Sequence, residues 1–156
     1  MERKSVIIST DGACSGNQLP GPQPGGWAAK LRFGENWKEI AGFDPKTSNN
    51  RMEMQAAING IAKLKMPCDI LIRTDSQILC NAIANLETRA KNGWKTKTGA
   101  KVANCDLHMR LYELKHSGDH QLRYEYVAGH SGDEDNERCN FLAQEAIRVK
   151  GDPIHA

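Results

Sequence analysis

This chain has no pair of cysteines placed to act together. Cys14, Cys68, Cys80, Cys105 and Cys139 are odd in number and scattered, and none stands in a C-x-x-C pair. A disulfide framework and a zinc site are therefore not expected, and a reducing cytoplasm is. The chain also lacks any apolar run near the ~20 residues of a membrane span. Met1-Glu2-Arg3-Lys4 leads straight into a strand pattern, so neither a membrane anchor nor a signal peptide is expected. There is no repeat, no low-complexity tract and no linker. Net charge is slight, +2 from 21 basic and 19 acidic residues, so only the placement of charge can inform. What is present, 156 residues with 39% hydrophobic and 26% charged content, suits one soluble domain with a full core. We expect that domain over residues 1–150 and a short frayed tail over 151–156.

Hydrophobic patterning orders the chain. Ser5 to Asp11 is uniformly apolar and reads as a central strand. Cys14 to Gly26 is crowded with Gly and Pro and reads as a connection made of turns. Gly26 to Phe33 and Lys38 to Phe43 form a hairpin-like pair around Gly34-Glu35-Asn36. Asn50 to Lys65 carries a helical period through Ala56, Ala57, Ile58, Ile61 and Leu64, with Pro67 ending it. Asp69 to Thr74 is a strand, Ser76 to Leu86 and Ala103 to Lys115 are helices, Gln121 to Val127 is the last strand, and Asp135 to Lys150 the last helix. The order β-β-β-α-β-α-α-β-α predicts an α/β fold, a mixed sheet covered by helices.

Three acids stand where such a scaffold can bring them together. Asp11 closes the first apolar run, Asp75 closes the run Ile70-Leu71-Ile72-Arg73-Thr74, and Glu53 is read in the first turn of its helix. If the first strand and the Asp69 strand are parallel neighbours, Asp11 and Asp75 project near one sheet edge, where sites of open α/β sheets gather. Clustered carboxylates make a hard-cation site suited to phosphate chemistry. Each acid also has a structural reading: Asp11-Gly12 as a turn, Asp75-Ser76 as a helix cap, Glu53 as a favourable first-turn acid. A fourth group, Asn140, follows the acidic stretch Asp133, Glu134, Asp135 and Glu137. From Arg89 to Lys101 the chain carries five positive charges, no acid and one aromatic, Trp94. That segment reads either as a protrusion lying along phosphates or as a solvated lysine face.

Six blocks, in order and spacing, closely resemble bacterial type 1 ribonuclease H. They are Thr10-Asp11-Gly12-Ala13-Cys14-Ser15-Gly16-Asn17, Thr47-Ser48-Asn49-Asn50-Arg51-Met52-Glu53, Thr74-Asp75-Ser76-Gln77, Asn92-Gly93-Trp94-Lys95-Thr96, Gly129-His130-Ser131-Gly132 and Asn136-Glu137-Arg138-Cys139. The resemblance runs from about Ser5 to Lys150. It implies a ribonuclease H-like fold, with a five-stranded sheet of order 3-2-1-4-5. It also implies endonucleolytic hydrolysis of the RNA strand of an RNA/DNA hybrid by two Mg²⁺ ions, with Mn²⁺ as a substitute, leaving 5′-phosphate and 3′-hydroxyl ends. By resemblance, Asp11 bridges both ions, Glu53 and Asp75 hold the ion beside the leaving group, and His130 assists proton transfer or product release. Asn140 stands where the family pattern has a fourth acid, an Asp, that holds the water-activating ion.

An amide oxygen still ligates hard cations, but one negative charge is lost. Asp11, Glu53 and Asp75 bring about −3 against the +4 of two Mg²⁺, and the scissile phosphate about −1 more. Three readings stay open: a natural variant that cleaves, an engineered inactive form that traps substrate, and a hybrid-binding protein without catalysis. We favour a working enzyme with altered metal demand. For the substrate, the resemblance implies RNA contacts from Gly12, Cys14, Asn17, Asn49, Asn50 and Gln77, and a DNA-phosphate pocket at Lys46, Ser48 and Asn104. Lys91, Trp94, Lys95, Lys97 and Lys101 would guide the DNA strand. Leu86 stands where the pattern carries a tryptophan stacking on the DNA sugar, and Trp94 reads better as an anchor of the protrusion than as a substitute for it. Asn49 and Asn50 can also be helix caps. The chain is expected to act as a monomer.

Overall fold

In the computed structural model, residues 3–16, 19–129 and 131–155 are described. Three strands come first, β1 (Lys4–Cys14), β2 (Gln23–Phe33) and β3 (Asn36–Thr47), followed by helix α1 (Asn49–Ala62). Strand β4 (Cys68–Thr74) leads to helices α2 (Gln77–Ala84), α3 (Leu86–Lys91) and α4 (Cys105–Ser117), then β5 (Gln121–Tyr126) and α5 (Glu134–Val149). The five strands form one mixed sheet in the order β3-β2-β1-β4-β5, as expected. β1 runs antiparallel to β2 and parallel to β4, and β4 runs parallel to β5.

Adjacent residues on β2 show how the sheet is covered. Ala28 and Ala29 are both fully buried and point to opposite faces. Ala29 joins the main core, where Val6, Ile8, Leu31, Ile70 and Ile72 from the sheet meet Met54, Ala57 and Ile61 of α1, Leu79 of α2 and Leu111 of α4. Ala28 joins a thinner layer with Ala13, Ala41, Cys139, Leu142 and Ala143 beneath α5. Small residues there let α5 lie almost on the backbone. A Cβ on Gly26 would stand 2.1 Å from the Ala143 carbonyl oxygen, a separation that forbids any side chain at that position.

Several boundaries differ from the sequence reading, each for a local reason. β1 does not stop at Asp11 but pairs with β2 as far as Cys14↔Gly25. The Gly/Pro-rich connection is correspondingly shorter, and β2 begins at Gln23. α1 ends at Ala62, before Lys65. Its cap is Ser48, whose hydroxyl accepts from the Arg51 N–H at 3.3 Å, so Asn49 and Asn50 are helical residues and Glu53 lies beyond the first turn. Ser76, not Asp75, caps α2, accepting from the Leu79 N–H at 3.1 Å. A separate helix, α3, carries the beginning of the basic segment. The C-terminal end is folded back where fraying was expected. The Asp152 carboxylate accepts from the Ile154 N–H at 2.8 Å, and Ile154 packs against the layer beneath α5.

Candidate active site

The parallel pairing of β1 with β4 places the first two acids. Its register runs from Lys4↔Cys68 to Ser9↔Arg73, and the same offset carried on brings Asp11 level with Asp75. Glu53 comes from the other side of the strand. Gly12 has no side chain, and a Cβ there would lie 2.4 Å from the Glu53 backbone nitrogen. α1 can therefore rest against β1, with Glu53 over the strand. The Gly12 N–H is shared between Glu53 Oε1 and Asp11 Oδ1, both at 2.9 Å. One carboxylate oxygen from each of Asp11, Glu53 and Asp75 lies within 4.8 Å of the others.

Such crowding is costly without a cation. Asp11 and Glu53 are only 3% and 5% exposed. Burial raises the Asp11 pKa, opposed by the Asn140 hydrogen bond and reinforced by the charge of Asp75. Burial, then the charge of Asp11, holds the Glu53 carboxyl well above its usual range. Glu53 Oε2 is buried with no hydrogen-bond partner. An unsatisfied buried carboxylate oxygen in a ring of acids is a ligand set for a hard divalent ion.

α5 supplies the fourth group. Cys139 is fully buried and its thiol donates to the Ser9 carbonyl at 3.3 Å, locking the helix on β1. The next residue, Asn140, then reaches Asp11, with Nδ2 donating to Asp11 Oδ2 at 2.9 Å. Asn140 is thus part of the acid cluster. In this orientation its amide nitrogen faces Asp11. Turning the amide end for end puts Oδ1 there instead, the atom a cation would require.

The remaining expected site residues are spread over the surrounding surface. Gln77 is the exposed first residue of α2, Lys46 is exposed at the end of β3, and Cys14 is half-buried at the end of β1. Asn104 takes a left-handed conformation before α4 and accepts from Arg51 at 3.3 Å. His130 and Asn17 lie outside the described residues. An open groove of about 550 Å³ gathers Asn50, Lys95, Lys97 and Asn104 with Arg89, and none of the three carboxylates lines it. Lys91, Lys95, Lys97 and Lys101 are all exposed. The segment is a small loop, closed by a bridge between Lys95 and Lys101 and by the Val102 N–H donating to the Trp94 carbonyl at 3.0 Å. Trp94 is half-buried, edge-on to Tyr112 at 5.6 Å and packed on the main core, so it anchors the loop. Leu86 is 1% exposed and belongs to the core, offering no surface for stacking.

Some residues around the groove were not singled out from sequence. Asn81 and Asn85 line it one helical turn apart, beside His108, which is 4% exposed with an unpartnered Nδ1. The signal for the asparagines was their spacing, opposite the buried Leu79, Cys80, Ala82 and Ile83 of α2.

Comparison with known proteins agrees with this geometry. Residues 3–148 match the RNase H family model. Ribonuclease H of Prosthecochloris aestuarii (strain DSM 271 / SK 413) is 45% identical over 148 residues, spanning 94% of this chain and 97% of that protein. Ribonuclease H of Chlorobium chlorochromatii (strain CaD3) is 46% identical over the same shares. Among solved structures, LC9-RNase H1, described as a type 1 RNase H with the type 2 active-site motif, has a TM-score of 0.82 at 25% identity, covering 97% of this chain and 76% of that one. LC11-RNase H1, solved in complex with RNA/DNA hybrid, shares the fold at a TM-score of 0.70 and 21% identity, covering 93% of this chain and 98% of that one.

Proposed function

The chain belongs to the RNase H family, and on that premise we propose that it hydrolyses the RNA strand of RNA/DNA hybrids at the Asp11, Glu53, Asp75 and Asn140 cluster. The observation that carries this reading is the convergence of three carboxylates within 4.8 Å, with the Asn140 amide hydrogen-bonded to one of them. The buried, unpartnered Glu53 Oε2 fits the cluster to a divalent cation. Asp11, Glu53, Asp75 and Asn140 Oδ1 would together hold the divalent cations, two Mg²⁺ by the family resemblance, with Mn²⁺ able to substitute. When bound, such a pair supplies an activated water and stabilises charge on the attacking and leaving oxygens of the phosphodiester.

The chain's own residues do the rest. Burial first, and then the charges of neighbouring acids, raise the pKa of Glu53 and Asp11, so a divalent cation held there would favour their ionised forms. His130 serves the proton transfer or product release that the family resemblance implies. Gly12, Cys14, Asn17, Asn49, Asn50 and Gln77 read the 2′-hydroxyls of the RNA strand. Lys46, Ser48 and Asn104 take a DNA phosphate, and Lys91, Lys95, Lys97 and Lys101, with Trp94 as anchor, guide the DNA strand. Products carry 5′-phosphate and 3′-hydroxyl ends. The four site groups come from one chain, consistent with action as a monomer. Five free cysteines, four of them buried, suit a reducing cytoplasm.

A second reading, a hybrid-binding form with impaired catalysis, draws on Asn140 alone, whose amide satisfies Asp11 without any cation. Cleavage of a labelled hybrid with Mg²⁺ and with Mn²⁺, against duplex DNA of the same sequence, separates the two. RNA-strand cutting with duplex DNA intact supports the enzyme. Tight hybrid binding without cutting in either metal supports the binder, and equal cutting of duplex DNA overturns both.

A further inference from the structure

Asp11 lies on a strand that α5 covers, whereas Asp75 directly follows β4, which lies outside the strands on which α5 packs. α5 packs over β1, β2 and β3, and these ion pairs run the same way, from Asp135 in its first turn to Lys30 and Arg32 and from Arg138 to Glu39. Asn140 is therefore well tied to Asp11 on β1, but its distance from Asp75, just past the end of β4, depends on what joins the start of α5 to β4. Arg73 supplies such a tie. The Arg73 guanidinium donates through one amino group to Asp133 Oδ2 at 2.8 Å and through Nε to Glu125 Oε1 at 2.7 Å. Asp133 is the N-cap of α5, its other oxygen accepting from the Asn136 N–H at 2.9 Å. Arg73 is only 28% exposed and Asp133 20%, so the pair is more sheltered than an ordinary surface contact.

The connection between β5 and α5 leaves and returns at the same place. At its start the Val127 N–H donates to the Thr74 carbonyl at 2.8 Å. It then passes so near Asp75 that a Cβ on Gly129 would stand 3.0 Å from Asp75 Oδ2. At its end Asp133 is held by Arg73. Both anchors are thus on residues 73 and 74, immediately before Asp75.

We infer that Arg73 is a positioning residue for the reaction: through Asp133 it holds the start of α5 against β4 and so sets the spacing between Asp75 and the Asp11–Asn140 pair. This rests on the cleavage reading above. Displacements of about 1 Å in a catalytic constellation can cost on the order of 100-fold in rate, so a clamp of this kind acts on turnover rather than on hybrid binding.

The test is steady-state hybrid cleavage and thermal melting of the parent, Arg73→Gln, Arg73→Lys, Asp133→Asn and the Arg73→Gln/Asp133→Asn double variant. Asp133→Asn keeps a good N-cap while losing the charge. Arg73→Gln and Asp133→Asn are each expected to lower kcat about tenfold with KM within about twofold. The double variant is expected to be no worse than Arg73→Gln alone, because the Arg73–Asp133 contact is already lost there. Arg73→Lys is expected to recover part of kcat. Should Arg73→Gln fold poorly, Asp133→Asn alone still decides. A parent that fails to cleave overturns the cleavage reading itself. A parent that cleaves while Arg73→Gln or Asp133→Asn keeps full kcat overturns the positioning role. So does a kcat loss that adds across the double variant, or one that follows melting temperature alike in Gln and Lys.

Discussion

Asp11 and Glu53 are 3% and 5% exposed and joined through one backbone N–H, whereas Lys91 at the end of α3 and Lys95, Lys97 and Lys101 on a loop closed by a few backbone bonds all stand in solvent. The first region takes its geometry from packed elements, with oxygens crowded against their own repulsion. The second takes its effect from charge number and needs little precision. Precise placement of charge is built into a core, where burial also magnifies each interaction. Long-range attraction for a polyanion can be left on an exposed surface, where water and salt screen each lysine separately. Substitutions should therefore act on turnover in one region and on binding in the other.

The largest effect is expected at Asp11. Asp11→Asn removes the carboxylate that is bonded to Asn140 and shares the Gly12 N–H with Glu53, and should lower hybrid cleavage by about two to three orders of magnitude, with hybrid affinity little changed. Single-turnover cleavage beside a binding titration measures both, and equal losses of affinity and rate would erase the contrast between the regions.

Asn140 sharpens the contrast within the cluster. Asn140→Ala should nearly abolish Mg²⁺-supported cleavage. Asn140→Asp should raise it and lower the Mg²⁺ needed for half-maximal rate, and Mn²⁺ should rescue the parent more than it rescues Asn140→Asp. A metal titration of these three proteins checks the order. If Asn140→Ala cleaves as well as the parent, the amide is no ligand.

The basic loop should respond differently. Replacing Lys91, Lys95, Lys97 and Lys101 with Ala should raise KM and leave metal dependence unchanged. It should also flatten the log–log salt slope of hybrid binding by up to roughly 0.9 for each phosphate that is no longer neutralised. An unaltered slope would make the loop a solvated face and nothing more.

The smallest effect is on stability. Glu53 has a folded-state pKa raised well above that of the unfolded chain, by burial and then by Asp11. Between those two values the folded state binds more protons, so this group's contribution makes stability fall as pH rises through that window and leaves a constant penalty above it. Glu53→Gln should therefore raise the melting temperature of the metal-free protein at alkaline pH and have little effect near pH 4. Saturating Mg²⁺ should narrow the difference, because a cation offsets the same repulsion. Melting curves in chelator and in Mg²⁺ across pH test it.

Much of this was legible locally. Strand and helix patterns come from neighbouring residues, so the element order, the sheet of order 3-2-1-4-5 and the acids at Asp11 and Asp75 could be read from sequence, given the family resemblance. Ends of elements were read less well, because they depend on partners. β1 runs past Asp11 because β2 still pairs with it there, and the tail is held because Ile154 finds the layer beneath α5.

By itself, then, the sequence determined which chemical groups are available, the periodicity that makes each segment a strand or helix, and the absence of Cβ at Gly12 and Gly26 that permits close packing. The tertiary structure alone decided which groups meet. Asn140 reaches Asp11 across 129 residues and Arg73 reaches Asp133 across 60, separations with no local signature. It decided too that Leu86 is core and that Glu53 is left with an unpartnered oxygen. The reason is physical. Secondary structure follows from torsional preference and short-range hydrogen bonds, whereas proximity between distant side chains and the pKa shifts that follow from it exist only once helices have docked on the sheet and expelled water.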